Sequence, residues 1–179
     1  TQYGLNRYDG YEFKIFTSKP DSPNTLLSNN VWGLQEDGLG NIWISSLDYM
    51  VYNRKKDNFI TDVPKFLEGY GIYISDPYRI YVDSKKDLWV LSGQKLFLLH
   101  TSNGVLTTFD IEEGLDKLET IEFSDDGEEL YGLLKPGYLW HINKSSGNQV
   151  MEELPDGISP DRYNRVYVDT QGGQWLWSA

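Results

Sequence analysis

The sequence predicts an all-β fold, a β-propeller fragment of four-stranded antiparallel blades, and three observations predict it. An acidic turn leading into an aromatic strand recurs four times at a near-constant period. Short alternating apolar stretches flank each recurrence, and no window sustains a helical apolar period.

The clearest copy is EDGLGNIWIS, residues 36–45, where Asp37 precedes Trp43 by six residues. The same interval separates Asp83 from Trp89 in VDSKKDLWVLS, Asp125 from Tyr131 in SDDGEELYGLL, and Asp169 from Trp175 in VDTQGGQWLWS. Successive acids are 46, 42 and 44 residues apart. Such a period belongs to propeller blades or to helical arrays, and the short alternating runs select the blades.

Each repeat supplies its strands in the same order. An alternating stretch precedes the Asp (Val31–Leu34, Arg79–Val82, Ile121–Phe123, Arg165–Val168), and an apolar strand follows the turn, which makes a hairpin. A third strand is expected at Tyr49–Asn53, Leu96–His100 and Tyr138–Asn143, and a weaker fourth around Phe59, Val105–Phe109 and Gln149–Met151. Residues 3–16 match strands three and four of a blade, and residues 162–178 match strands one and two. The expected organisation is a single partial propeller over residues 1–179: a half blade (3–16), three blades (30–61, 78–109, 118–152) and a half blade (162–178). Residues 17–30 and 61–77 read as long connections.

Composition narrows the function. A formal net charge of −11 disfavours nucleic acid and anionic membrane surfaces as partners. With no cysteine there is no disulfide and no thiolate metal site. The longest apolar runs, such as Leu96–Leu99, are far too short to span a bilayer, so no membrane contact is expected of these residues.

GLNRYDGYEF and PNTLLSNNVWGLQEDGLGNIWIS together resemble the repeat of the two-component regulator propeller family. That repeat runs from Ser-Asn-x-Val-Trp through an Asp-x-x-Gly-Asn turn to Leu-Trp-Ile-Gly, then Gly-Leu-x-Arg-Tyr-Asp. Asn30, Val31, Trp32, Asp37, Gly40, Asn41, Ile42, Trp43 and Ile44 follow it, as do Gly4, Leu5, Asn6, Arg7, Tyr8 and Asp9. Later copies depart from it, with Lys86-Asp87 in place of Gly-Asn and Tyr131 in the Trp position. The resemblance implies a periplasmic location, in the extracytoplasmic sensor region of a hybrid two-component histidine kinase at the inner membrane. It also implies further propeller repeats, a β-sandwich, a membrane span and kinase and receiver domains elsewhere in such a protein.

The recurring motif reads as architecture. Asp, Gly and Asn close the inner hairpin, and Trp43, Trp89, Tyr131 and Trp175 are expected to be buried between blades. The four acids are expected on separate turns, too far apart to converge. Residues 110–129 hold ten acids and one Lys but lack the EF-hand spacing, so they read as a solvated acidic edge. His100 falls at the turn from strand three to strand four and His141 inside a third strand, neither with a motif-spaced partner. No catalytic residue, metal ligand or cofactor is expected, and the chain does not read as an enzyme. A propeller hydrolase or lyase would need convergent acids, a histidine cluster or a metal on one face.

The candidate ligand-binding residues lie where the first strand of each blade is entered: Asn30 and Trp32, Tyr78 and Arg79, and Arg162, Tyr163 and Arg165. Arg79 and Arg165 share one position of the repeat, filled by Gly33 and Ile121 elsewhere. Aromatic faces beside Asn and Arg suit the flat C–H surfaces and hydroxyls of an oligosaccharide. The bland alternative for each aromatic is packing between blades, and the competing function is a protein-interaction scaffold without a small ligand. Self-association through the terminal strand edges is also expected, since the two half blades are complementary; two chains joined at both ends would form an eight-bladed ring.

Overall fold

Asn41–Ser45, NIWIS, shows in miniature how the chain becomes sheet. Alternate side chains point to opposite faces, and both faces are covered, so the strand is apolar almost throughout. The computed structural model describes residues 3–19, 22, 24–111, 122–134, 138–154, 165–169 and 171–177. Apart from one short helix, the regular elements among them are β-strands.

The strands form five antiparallel sheets. β1 (Leu5–Tyr8) pairs with β2 (Phe13–Phe16). β3 (Gly33–Glu36), β4 (Asn41–Ser45), β5 (Tyr49–Asn53) and β6 (Asn58–Ile60) follow one another in a four-stranded meander. β7 (Tyr78–Val82), β8 (Leu88–Ser92), β9 (Lys95–His100) and β10 (Val105–Asp110) make a second. β11 (Glu122–Asp125), β12 (Glu129–Leu134), β13 (Tyr138–Asn143) and β14 (Gln149–Glu153) make a third. β15 (Arg165–Val168) pairs with β16 (Gln174–Trp177). Four-stranded meanders with two-stranded sheets before and after them are the parts of a β-propeller.

The chain divides into two compact units, residues 1–75 with 99–106 and residues 76–98 with 107–179. In the first, the β1–β2 hairpin packs on the β3–β6 blade through Leu5 and Phe16, which meet Leu26, Ile44, Met50, Tyr52 and Phe59. The connection after β6 contains the helix α1 (Val63–Glu68), too short to leave a periodic signature in the sequence. Asp62 caps it by accepting the Lys65 backbone N–H, and Phe66 packs edge-on against Trp43.

In the second unit, Trp89, Leu91, Leu96 and Leu98 of β8 and β9 pack with Leu130, Leu134, Trp140 and Ile142 of β12 and β13. Tyr131, Leu133 and Leu139 then pack against Val166 and Val168 of β15. Within each unit, neighbouring sheets bury a face on one another, so the same positions of the repeat recur as core.

The third turn departs from the sequence alignment by one residue. Trp43, Trp89 and Trp175 face Gln35, Tyr81 and Tyr167 across the first hairpin, each two residues before the repeat Asp. Tyr131 faces Ser124, which makes Asp126, not Asp125, the structural counterpart. The cause is a shorter turn. The backbone closes from Asp37 to Asn41, Asp83 to Asp87 and Asp169 to Gly173, but from Asp126 to Glu129. In the longer turns the third residue after Asp is left-handed: Gly40 at φ +83°, Lys86 at +66° and Gly172 at +80°. At Lys86 the geometry survives the loss of glycine, at a steric cost. The repeat position shared by Gly33, Arg79 and Arg165 therefore falls on Glu122 in the third blade, where the sequence alignment puts Ile121.

Candidate functional site

The end of the β3–β6 blade that carries the entry to β3 and the β4–β5 turn is built from a few hydrogen bonds. The Trp32 backbone N–H donates to the Ser45 carbonyl at 2.9 Å, extending the hairpin one residue beyond β3. The Ser46 hydroxyl donates to the Asn30 carbonyl at 2.7 Å, which ties the incoming chain to the β4–β5 turn. Asn29 holds the neighbouring hairpin: its side-chain oxygen accepts from the Ser18 backbone N–H and its carbonyl from that of Gly4.

What this framework displays is apolar and open. Trp32 is 68 % exposed and Leu47, at the tip of the β4–β5 turn, 72 % exposed. Asn30 beside them is also exposed. A wide indole face next to a carboxamide can cover a sugar ring or an apolar side chain of another protein. Asn30 and Trp32 lie two residues apart at this blade entry; Leu47, on the β4–β5 turn, is not singled out by the sequence because a lone leucine in a turn carries no motif.

The other candidates stand differently. Tyr78, at the start of β7, is buried, and the half-buried Arg79 donates to the Tyr78 carbonyl at 3.0 Å. Arg165 opens β15 opposite Trp177 and is half-buried. Arg162 and Tyr163 lie outside the described residues, as do residues 112–121 of the acidic run at 110–129.

The repeated acids do more than turn the chain. In Asp37, Oδ1 accepts the backbone N–H groups of Leu39 and Asn41, while Oδ2 accepts the Trp43 indole N–H at 2.9 Å. Asp83 treats Lys85, Asp87 and Trp89 in the same way, and Asp169 treats Gln171, Gly173 and Trp175 likewise. Asp126 accepts from Glu128, Glu129 and the Tyr131 hydroxyl. The six-residue spacing is therefore the reach from a turn carboxylate to the indole of the following strand.

Asp125, displaced from that role, meets Asp83. Lys144 Nζ donates to Asp83 Oδ2 at 3.0 Å and to Asp125 Oδ2 at 3.1 Å, with side chains only 8 %, 1 % and 3 % exposed. This corrects the expectation that the repeated acids stay apart, since two on adjacent blades share one ammonium. The Tyr81 and Ser84 hydroxyls also donate to Asp125. Burial opposes charge on Asp125, but Ser84, Lys144 and Tyr81 outweigh it and hold its carboxyl below the usual range. Burial, reinforced by Asp125, pushes the Tyr81 hydroxyl far above its ordinary value, and burial with Asp126 does the same to Tyr131. Each oxygen of the two carboxylates has donors in the fold, which describes a structural centre.

His141 has the carboxylate neighbours that its sequence surroundings do not show. Its Nδ1 lies 2.5 Å from Glu129 across the β12–β13 pair, and its ring stacks on Tyr131 at 5.2 Å. No motif in the sequence signals this, because the partners come from different strands. Among the described residues no group of three or more His, Asp or Glu side chains is arranged to hold a metal. No helix among them is long and apolar enough to cross a membrane.

Residues 25–48 match the family model of the two component regulator propeller. The matched segment contains Asn30, Trp32, Asp37 and Trp43. None of the curated proteins matches the chain significantly. Among solved structures, the fold is similar to the extracellular domain of BT4673 from B. thetaiotaomicron, described in one structure as a one component system and in another as a hybrid two component system. In both comparisons the TM-score is 0.58 at 12% identity over 87% of this chain. It is also similar to PorZ, an essential bacterial surface component of the type-IX secretion system of Porphyromonas gingivalis, with a TM-score of 0.52 at 11% identity over 98% of this chain. The chain spans 21% and 20% of the two BT4673 chains and 28% of PorZ.

Proposed function

We propose that the chain is part of the extracytoplasmic ligand-sensing propeller of a two-component sensor, and that the blade end carrying Trp32 and Asn30 takes an oligosaccharide. One observation carries this reading: the segment that matches the two component regulator propeller, residues 25–48, is the one that leaves a tryptophan 68 % exposed at the entry to a blade. Exposure of so large an aromatic has no packing role within the unit, and a sugar ring stacks well on an indole face. Net charge −11 suits a neutral glycan better than a polyanionic one. Binding would act on an attached kinase by favouring one arrangement of the sensor over another, to the extent of its differential affinity for the two.

The test is a calorimetric and glycan-array screen of plant and host oligosaccharides against the chain and its Trp32→Ala variant. Saturable binding by the parent chain, weakened at least tenfold in the variant, is the expected result. Absence of binding across the screen, or binding indifferent to Trp32→Ala, overturns the reading.

A second reading has its own observation. Leu47, 72 % exposed beside Trp32, makes the patch apolar enough for a protein partner. On that reading the blade end is an interaction scaffold without a small ligand, Trp32→Ala and Leu47→Ala both weaken capture of one protein, and no glycan competes.

A further inference from the structure

The β11–β14 blade carries two departures from the repeat that its architecture does not require. Val51 faces Trp43 across β4 and β5, and His141 faces Tyr131 across β12 and β13, so the two occupy one position of the repeat. Val51 is fully buried, which shows that an aliphatic side chain fills this place. Asn41 and Glu129 likewise share a position, facing Asn53 and Asn143. An imidazole and a carboxylate thus meet where the β3–β6 blade has a valine and a carboxamide.

The imidazole is held on two sides. Its Nδ1 lies 2.5 Å from Glu129 Oε2, and its ring is within 16° of parallel to that of Tyr131, whose hydroxyl donates to Asp126. Donation from Nδ1 to Glu129 leaves the Nε2 lone pair facing outward, as in a metal-ligating histidine with a carboxylate behind it. Nε2 faces Glu152 Oε1 of β14 at 3.8 Å. That is too long for a hydrogen bond. It suits two ligands on one ion. Zinc takes imidazole nitrogen and carboxylate oxygen at about 2.0–2.2 Å, which separates the two atoms by about 3.4 Å at a tetrahedral angle and about 4.2 Å in line. The His141 side chain is 18 % exposed and that of Glu152 56 %, so the ring is fixed and the carboxylate has room to close on an ion.

We propose that His141 and Glu152 bind a divalent transition-metal ion of the zinc type, with Glu129 orienting the imidazole. Among the described residues no group of three or more His, Asp or Glu side chains is arranged to hold a metal. The site therefore offers two protein ligands, and its other positions are open to water or to donor atoms of a bound molecule. The imidazole selects against calcium and magnesium, which take oxygen ligands. A net charge of −11 draws cations to the chain. A histidine serving only as the ion-pair partner of its two glutamates would bind no metal.

The chain, stripped with chelator, is titrated with zinc chloride by calorimetry and by NMR of its two histidines. The expected result is one zinc ion per chain, with the His141 ring resonances shifted, those of His100 unmoved, and no displacement by excess calcium. His141→Val, which puts the aliphatic side chain of the β3–β6 blade at this position, is expected to abolish uptake, and Glu152→Gln to weaken it at least tenfold. Glu129→Gln, which alters no ligand, is expected to weaken it by about 10–100-fold. His100→Ala is expected to leave it unchanged. The NMR titration of the unmodified chain stands whether or not any variant folds. Unshifted His141 resonances at millimolar zinc, uptake that survives His141→Val, or uptake indifferent to Glu152→Gln overturns the proposal.

Discussion

The indole Nε1 of Trp89 donates to Oδ2 of Asp83 at 2.9 Å, with both side chains shut away from water. The bond joins the turn that makes the hairpin to the residue that fills the space between blades. It makes the motif a unit: the carboxylate shapes the turn with one oxygen and satisfies the buried indole with the other.

Trp89 and Trp175 make the same bond in opposite surroundings, which separates the worth of burial from that of the motif. Trp89→Ala is expected to cost about 3–5 kcal/mol as a large-to-small core change. Trp175→Ala, at 62 % exposure, is expected to cost less than about 1 kcal/mol at concentrations too low for association. Urea denaturation of the two variants measures both, and equal losses would contradict the assignment of Trp89 to the core.

Lys144 holds two buried carboxylates, so Lys144→Met leaves them facing each other without a cation. The expected loss is about 3–5 kcal/mol near neutral pH, the range for a buried ion pair stripped of one member. Acid should act on the parent chain through the same centre. The Asp125 carboxyl is lowered from its ordinary 3.8, so the unfolded chain binds protons first. The stability it contributes is complete above about pH 4 and declines as pH falls through the lowered folded value. Denaturation midpoints measured from pH 7 to pH 2 report this, and a Lys144→Met variant as stable as the parent at pH 7 would sink the prediction.

Alkali acts through the tyrosines. Tyr52, Tyr70, Tyr81 and Tyr131 all have hydroxyls raised above the ordinary value of 10.0, chiefly by burial. Above pH 10 the unfolded chain releases these protons and the folded chain keeps them, so stability falls as pH rises. A phenolate absorbance titration is expected to show part of the 13 tyrosines ionising only with alkaline unfolding. A single smooth transition near pH 10 in a folded chain would contradict it.

The shifted third turn can be tested at Asp126. Its carboxylate accepts two backbone N–H groups and the Tyr131 hydroxyl, so Asp126→Ala is expected to cost about 1.5–3 kcal/mol, the scale of hydrogen bonds to a charged group. Asp126→Asn retains a neutral acceptor and should lose less. If Asp126→Ala proves neutral in thermal or urea melts, Asp125 is the turn residue after all.

Local pattern made much of the architecture legible. The apolar runs Tyr49–Asn53 and Tyr138–Asn143, at the same place in each repeat, mark strands with those bounds, and the Asp-to-Trp interval marks the hairpin and its core aromatic. Asn30 and Trp32 were readable as neighbours because they lie two residues apart at a blade entry. These features depend on side chains close in sequence, where period and turn chemistry act directly.

Other features depend on residues brought together from distant strands. Lys144 reaches Asp83 from 61 residues away, and nothing in the sequence around KSSG marks it as the cation between two blades. His141 finds Glu129 only because β12 and β13 lie side by side. The one-residue difference between Asp125 and Asp126 was invisible because DD offers two equivalent acids, and the strand register with the closing hydrogen bond from Asp126 to Glu129 distinguishes them. The same holds for burial at Trp43 and Trp175, which share a motif but not a covering face. By itself the sequence determined the repeat, the strands and the chemistry of each turn, because those arise from near neighbours. Which carboxylates share a charge and which aromatics remain open was decided by the tertiary structure, because desolvation depends on what packs across from a residue.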